Sequence, residues 1–482
     1  MALAPAWAQS RFERMERRNL WNDGINAAGI RQDTASLSVA SMTASYQAGD
    51  YRTISQSENE WSAGAQAKSV KHLENYSMKG SFSFLDTEAS NMCGSMFLDP
   101  GFFPVDVYEF TPGHKTFQTY SVNGIIAVDL AKSLKIGTGL DFKARNAAKR
   151  KDLRYSTYRL DMAFNPSLIY SAGKVDLGAA LHFARNTETI SAEQTGTAAV
   201  APFAFFDEGL ALGNWQVWTG NGSRLKESGV NGLPVVQNTY GGSLQIALAD
   251  GSLYADADFR WLNGSVGERQ VIWYRYSGPQ FQANLSGSVN SLTYRTHVAL
   301  KRIDNRETVQ DKVTEGGISL VHEYGSNRIF SSLLQNVGDE LEYVSGAFDA
   351  VVNFDVTNLK RIAAPMYPLI YTRNLRIFET GIRSGYRRGR FEYGLNVCWK
   401  KGFAEDGQRS VSEVGSASAP YRHDDVWTDQ CKFETSDCMM AGLLVDWNFS
   451  GRIHALMKAD GQHSWDMDRT RYCITTGLYY IF

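Results

Sequence analysis

Apolar and polar side chains alternate along this chain in segments of about ten or more residues, and a period of two confines such segments to β-strands with one greasy face. In the last segment Tyr472, Ile474, Thr476, Leu478, Tyr480 and Phe482 share one face, and Arg471, Cys473, Thr475 and Gly477 the other. Before it, Ile453, Ala455, Met457 and Ala459 oppose His454, Lys458, Asp460 and Gln462. Phe433, Met439, Ala441, Leu443, Val445, Trp447 and Phe449 oppose Glu434, Ser436, Asp446 and Asn448. The same pattern runs from Phe391 to Lys400, from Leu134 to Lys143 and from Tyr158 to Leu168. Comparable strands start near Val175, Tyr240, Leu253, Phe281 and Leu292, and weaker ones near Ala35, Glu60, Tyr76, Val122, Ile318, Ile329, Ala347 and Ile377.

A soluble sandwich alternates too, but its strands average about five to six residues, whereas crossing a bilayer obliquely takes about nine to eleven. With 43% hydrophobic residues and a mean hydropathy of -0.31, no stretch has the apolar length of a spanning helix. The connections near 131–133, 172–174, 249–251, 387–389 and 450–452 are tight, while 91–115, 188–237 and 404–430 are long. The fold expected is therefore all-β: a transmembrane antiparallel up-and-down β-barrel of about 16 to 18 strands, with long extracellular loops and short periplasmic turns. Aromatic girdles fit this expectation, with Tyr76, Phe391, Trp447, Phe449, Tyr480 and Phe482 at the short-turn end and Trp261, Trp399, Phe403, Phe433 and Trp465 at the other.

No linker or low-complexity stretch divides the 482 residues, so the barrel is assigned residues 34–482 as one domain. Residues 1–8 read as the remnant of an export signal, because Ala6-Trp7-Ala8 before Gln9 has small-x-small spacing. Residues 9–33 form an N-terminal segment, in the periplasm or in the lumen, whose RFERMERRNLW stretch suits a short helix. It is too short to be the plug domain of an active transporter. A net charge of -2 without a Lys/Arg stripe excludes nucleic acid as a partner. Five cysteines without CxxC spacing leave free thiols or a single Cys93–Cys431 bridge.

The terminal strand ending in Phe482, together with the opening segment NLWNDGINAAGI (Asn19 to Ile30), resembles Bacteroidota outer-membrane β-barrel proteins of unknown function over nearly the whole chain. That resemblance implies the cell outer membrane, contact with outer-membrane lipid, and delivery to the barrel-assembly machinery through Leu478, Tyr480 and Phe482. It implies no active site and no cofactor.

Inward-facing positions carry both signs: Lys135, Asp141, Lys143, Arg159, Asp161, Asp256, Asp258, Arg260, Arg295, Lys458 and Asp460. Such a mixture suits a mutually neutralising lumen, filled by side chains and infolded loops, better than a charge-sorting pore. In the 188–237 loop, Trp215, Trp218 and Asn221 combine flat apolar faces with an amide, a set able to hold a glycan or to pack as ordinary loop aromatics. Asp424, Asp425 and Asp429 lack the ordered spacing of a calcium loop, and no metal is expected. No GxSxG, HExxH, P-loop or dinucleotide fingerprint is present, and adjacent His463 and Ser464 point to opposite faces, so an enzyme is not expected.

The function expected is transport, as a diffusion channel or as an accessory subunit of a nutrient-uptake complex beside a larger receptor. The alternative is a structural or adhesive surface protein whose long loops bind a glycan or a protein partner. The 188–237 loop separates the two: folded inward it argues for closure, and projecting outward for binding.

Overall fold

A computed structural model gives the fold of residues 10–151, 153–193, 203–217, 233–248, 250–268, 271–315, 318–366, 369–407 and 423–482. The wall begins with β1 (Leu37–Gly49), β2 (Asn59–His72), β3 (Tyr76–Ser95), β4 (Asp106–Ala131), β5 (Leu134–Lys149), β6 (Arg154–Ala172) and β7 (Val175–Glu193). A short hairpin follows, β8 (Phe203–Asp207) and β9 (Gly213–Val217). The wall resumes with β10 (Leu233–Leu248), β11 (Leu253–Glu268), β12 (Val271–Val289), β13 (Leu292–Glu315), β14 (Ile318–Ser345) and β15 (Phe348–Met366). It ends with β16 (Leu369–Arg388), β17 (Phe391–Asp406), β18 (Cys438–Asn448), β19 (Ile453–Ser464) and β20 (Arg469–Ile481).

Each wall strand pairs antiparallel with the next, β7 pairs with β10, and β20 pairs with β1, giving a closed barrel of eighteen strands. The β8–β9 hairpin stands off the wall and pairs only with the end of β4, where Asp106 lies opposite Asp207. Outward positions are apolar and exposed, as Tyr158, Leu160, Met162, Phe164 and Leu168 show on β6. This is the pattern of a transmembrane β-barrel, apolar out and polar in. Among the described residues no helix is long and apolar enough to cross a membrane. Both ends of the wall lie on the side of the tight turns, several of which pivot on a glycine in the left-handed region, as at Gly173 (φ 66°) and Gly389 (φ 62°).

Three expectations need correction. The strands expected near Ile318 and Ile329 are one strand, β14, of 28 residues. Its register against β13 slips by a residue beside Asn305/Arg306 and Val309/Gln310, and each bulge inverts the inward-outward alternation, so one strand reads as two. Phe433 and Glu434 belong not to a strand but to a helix, His423–Thr435, and Phe433 leaves the outer girdle to stack on buried Tyr51 at 4.7 Å. The turn–loop asymmetry is incomplete, because two residues separate β11 from β12, β13 from β14 and β15 from β16 on the long-loop side. Tall strands take the place of loops there. Elsewhere Tyr76, Phe391, Trp447 and Phe482 are exposed at one rim, and Trp261, Trp399, Phe403 and Trp465 at the other.

Candidate functional site

Ahead of β1 the chain forms helix α1 (Ser10–Arg18) and two short 3-10 helices, Leu20–Asp23 and Ala27–Gln32. An asparagine starts each turn, since Asn19 accepts from the Trp21 N–H at 3.2 Å and Asn26 from the Ala28 N–H at 3.0 Å. Side-chain caps of this kind replace backbone partners that a lone turn lacks.

This segment touches strands on every side of the barrel, which places it in the lumen. Arg14 bonds Glu392 of β17 at 2.6 Å, and Arg17 bonds Glu340 of β14 at 2.5 Å and Glu342 at 3.1 Å. Asp23 accepts from Ser286 of β12 at 2.6 Å and from Arg295 of β13 at 3.2 Å. Asn26 donates to the Leu168 carbonyl of β6 and to Gln245 of β10, both at 3.0 Å. Arg31 pairs with Asp129 of β4 and donates to the Leu73 carbonyl in the turn before β3 and to Ser77 of β3. Glu342 and Glu340 hold the Arg17 guanidinium above its ordinary value although burial opposes its charge. Burial keeps the Asp23 carboxyl above the usual range, outweighing Ser286 and Arg295.

Apolar anchors fix the same segment. Phe12 is fully buried among Val39, Val70, Leu444, Leu456 and Tyr479, and Trp21 meets Tyr254 edge-on at 5.3 Å. The wall makes room for it with glycines. A Cβ on Gly137 would lie 2.6 Å from the Ala28 nitrogen, and one on Gly178 would lie 2.7 Å from the Trp21 ring. Glycine inside a strand weakens pairing and is kept where another backbone or a bulky group comes close.

The opposite mouth is filled from above. The 96–105 loop, the β8–β9 hairpin and α2 (His423–Thr435) share one apolar core with inward-facing wall residues, among them Phe97, Phe103, Phe206, Leu210, Tyr274, Tyr276 and Trp427. Asp99 receives both arms of Arg145 at 2.7 Å, and Arg159 at 3.1 Å. Arg159 lies over the Phe102 ring at 3.7 Å, and Leu98 N–H donates to Glu188 at 2.7 Å. Burial alone would raise the Asp99 carboxyl, but the bond and charge of Arg145, with the charge of Arg159, hold it below the usual range. A cavity of 300 Å³ remains beneath these loops.

The lumen residues expected from sequence are bound to one another, to neighbouring wall side chains or to the N-terminal segment. Lys135 donates to Gln32 at 3.1 Å, Asp141 accepts from Asn123 at 2.5 Å, and Lys143 sits beside Arg145, Asp99 and Asp161. Arg159 bonds Asp161 at 2.8 Å, Arg260 bonds Asp258 at 2.7 Å, and Lys458 bonds Asp460 at 2.9 Å. Asp256 accepts from Tyr254 at 3.0 Å and Asn284 at 2.8 Å, while Arg295 joins Asp23 to Glu342. Trp218 and Asn221 lie outside the described residues, as do residues 1–8; of Trp215 only the backbone, in β9, is described. At the terminus Leu478 and Phe482 face outward, with the Tyr480 ring 4.7 Å from that of Phe482. All five cysteines are free, so the Cys93–Cys431 bridge is not formed. Asp429 pairs with Arg469 at 2.9 Å, and His463 packs on Trp465 while Ser464 donates to Asp466.

Sequence reasoning passed over the acids that hold the segment, Glu340, Glu342, Asp349 and Glu392, and its glycine bed. The only local signals were the two Asn-led turns and glycines at inward positions of otherwise regular strands.

A family model described as a family of unknown function (DUF6850) matches residues 27–480. No curated protein matches the chain. Among solved structures, the ferric preacinetobactin receptor BauA from Acinetobacter baumannii is 6% identical, with 93% of this chain and 80% of that one covered and a TM-score of 0.43. The FrpB iron transporter from Neisseria meningitidis (F3-3 variant) is 8% identical, with 95% and 83% covered and a TM-score of 0.46. The copper transporter OprC is 8% identical, with 93% and 81% covered and a TM-score of 0.41.

Proposed function

The chain belongs to the DUF6850 family of unknown function, and on that footing we propose that it is an outer-membrane transport barrel, closed at rest by its own N-terminal segment. The apolar outer wall and its two aromatic rims support placement in a lipid bilayer. The outward-facing C-terminal strand, with Leu478, Tyr480 and Phe482, is what the barrel-assembly machinery would read.

The observation that carries the transport reading is the ionic seat of α1, where Arg14 and Arg17 meet Asp349, Glu392, Glu340 and Glu342 across the lumen. A barrel serving only as an anchor gains nothing from buried ion pairs that apolar filling could replace at equal or better stability. Charged walls suit a passage that becomes wet when the segment leaves. Signs are balanced along the lumen, so the reading assigns no preference for anions or cations. The described part of the 188–237 loop is folded inward, which supports closure over an adhesive role.

A role beside a larger uptake receptor is the second reading. It is favoured by a shallow outward depression over β20, β1 and β2, where Ala44, Ala63, Ala65 and Thr476 lie low between Met42 and Leu478.

Conductance in planar bilayers tests the first reading. The full chain should stay closed, and the chain lacking both residues 10–32 and the mouth hairpin 203–217 should conduct steadily. Silence of the truncated form, with its barrel shown to be folded by heat-modifiable electrophoretic mobility, would remove the conduit.

A further inference from the structure

The 300 Å³ cavity under the mouth loops has the volume of a small-molecule site. Its roof is Phe102, Phe103, Leu210 and Trp427, and Phe330 closes one side. The loop segment runs Pro100-Gly101-Phe102-Phe103-Pro104, and its two prolines fix the backbone that carries the aromatic pair, which lowers the ordering cost of binding. The floor comes from the barrel wall, where Lys301, Leu334 and Leu359 face inward.

Most charges at this cavity are answered. Arg361 donates through Nη2 to Glu434 at 2.9 Å, Asp106 accepts through Oδ1 from Ser95 at 2.7 Å, and Asp207 accepts from the Gly209 N–H at 2.7 Å, which leaves the Arg361 Nε and the Asp106 Oδ2 buried without a bond of their own. Lys301 differs from them: among the described residues its amine has no hydrogen-bond or ion-pair partner. Lys301 is half-buried, and an ammonium partly withdrawn from water without a counter-charge is costly, a cost that a bound anion would relieve.

We propose that the cavity is a binding site for a small amphipathic monocarboxylate, its apolar body against Phe102, Phe103, Phe330 and Trp427 and its carboxylate on the Lys301 Nζ. A chamber lined mostly by apolar side chains, with Lys301 as its one cation lacking a protein partner among the described residues, selects for one acidic group on a compact apolar frame.

The test is calorimetric titration of the detergent-solubilised full chain with phenylpropionate, phenylpropanol and phenylpropylamine. The acid should bind, the alcohol about tenfold more weakly, and the amine more weakly still. Lys301→Met should bring acid and alcohol level, whereas Lys301→Arg should keep the preference for the acid. Leu334→Trp, which fills the floor while leaving the amine in place, should abolish binding of all three. No binding of the acid by the unaltered chain overturns the proposal. So does an acid preference that survives Lys301→Met in a variant with normal heat-modifiable mobility, or an amine that binds as tightly as the acid. Because binding rather than current is read, this outcome is independent of whether the N-terminal segment opens.

Discussion

Arg14 and Glu392 meet as a two-pronged fork, Nη1 on Oε1 at 2.6 Å and Nη2 on Oε2 at 3.0 Å, with Asp349 3.4 Å from the same Nη1. Such bidentate, charge-assisted pairs are the stronger class of ionic contact, and both side chains are largely buried, at 17% and 14% exposure. Arg14→Ala leaves two carboxylates facing each other across an empty socket, a loss of roughly 1.5–3 kcal/mol in the seating of α1. In a chain already lacking the mouth hairpin 203–217, open events in planar bilayers should become about ten- to a hundredfold more frequent. The double exchange Arg14→Glu with Glu392→Arg should restore much of the closure, and an unchanged record for Arg14→Ala would remove this pair from the seat.

Gly137→Ala places a methyl group 2.6 Å from the Ala28 nitrogen and 2.8 Å from its Cα, where only backbone could give way. Overpacking of this kind costs about 1–3 kcal/mol. The Ala27–Gln32 turn should lift while the wall stays paired. Tryptic cleavage after Arg31, slow while that side chain is held by Asp129 and Ser77, should accelerate by about tenfold. The far-ultraviolet β signal should not change.

Acid should unlatch the mouth. The Asp99 carboxyl is held below its ordinary range in the folded chain, so its latch to Arg145 and Arg159 stabilises the loop above the unfolded-state pKa. That contribution is lost as pH falls through the lower, folded value. Pepsin cleavage at Phe102–Phe103, taken relative to that of the Asp99→Asn chain at each pH, should therefore rise as pH drops from about 5 to about 2. A flat ratio would show that Asp99 does not hold the loop.

Gly209 has φ 126°, outside the range open to side-chain-bearing residues, and a Cβ there would run into the Phe330 ring. Gly209→Ala should cost about 1–3 kcal/mol locally. Amide exchange should quicken over residues 203–212 and leave the β1–β20 pairing protected.

The barrel was legible because inward-outward parity is a local property. Lys135, Arg159, Asp161 and Asp256 could be assigned to a face from their immediate neighbours alone. Where the backbone breaks parity, as at the β14 bulges, the reading split one strand into two. At Phe433 the apparent continuation of the β18 alternation hid a helix, since a few residues of matching phase do not distinguish periods of 2 and 3.6. The lumen contacts were illegible for a different reason. Glu340, Glu342, Asp349 and Glu392 lie more than 300 positions from Arg14 and Arg17 in the chain. Gly137 and Gly178 are two among 43 glycines, and nothing adjacent to them announces what they accommodate.

The seam joins Val39 to Ile481 and Tyr46 to Ile474. Every other wall contact can form as the chain grows by successive hairpins, but this pairing must wait for the final strand, and such distant joins are slow. Until that pairing forms, no closed wall surrounds residues 10–32, which lie just ahead of β1. Completing the ring and trapping the segment are thus one event in time, and the barrel is sewn around its stopper. A shell assembled without residues 10–32 should accordingly gain nothing from the same stretch supplied later as a free peptide, because the tether that delivers it at the moment of closure is gone.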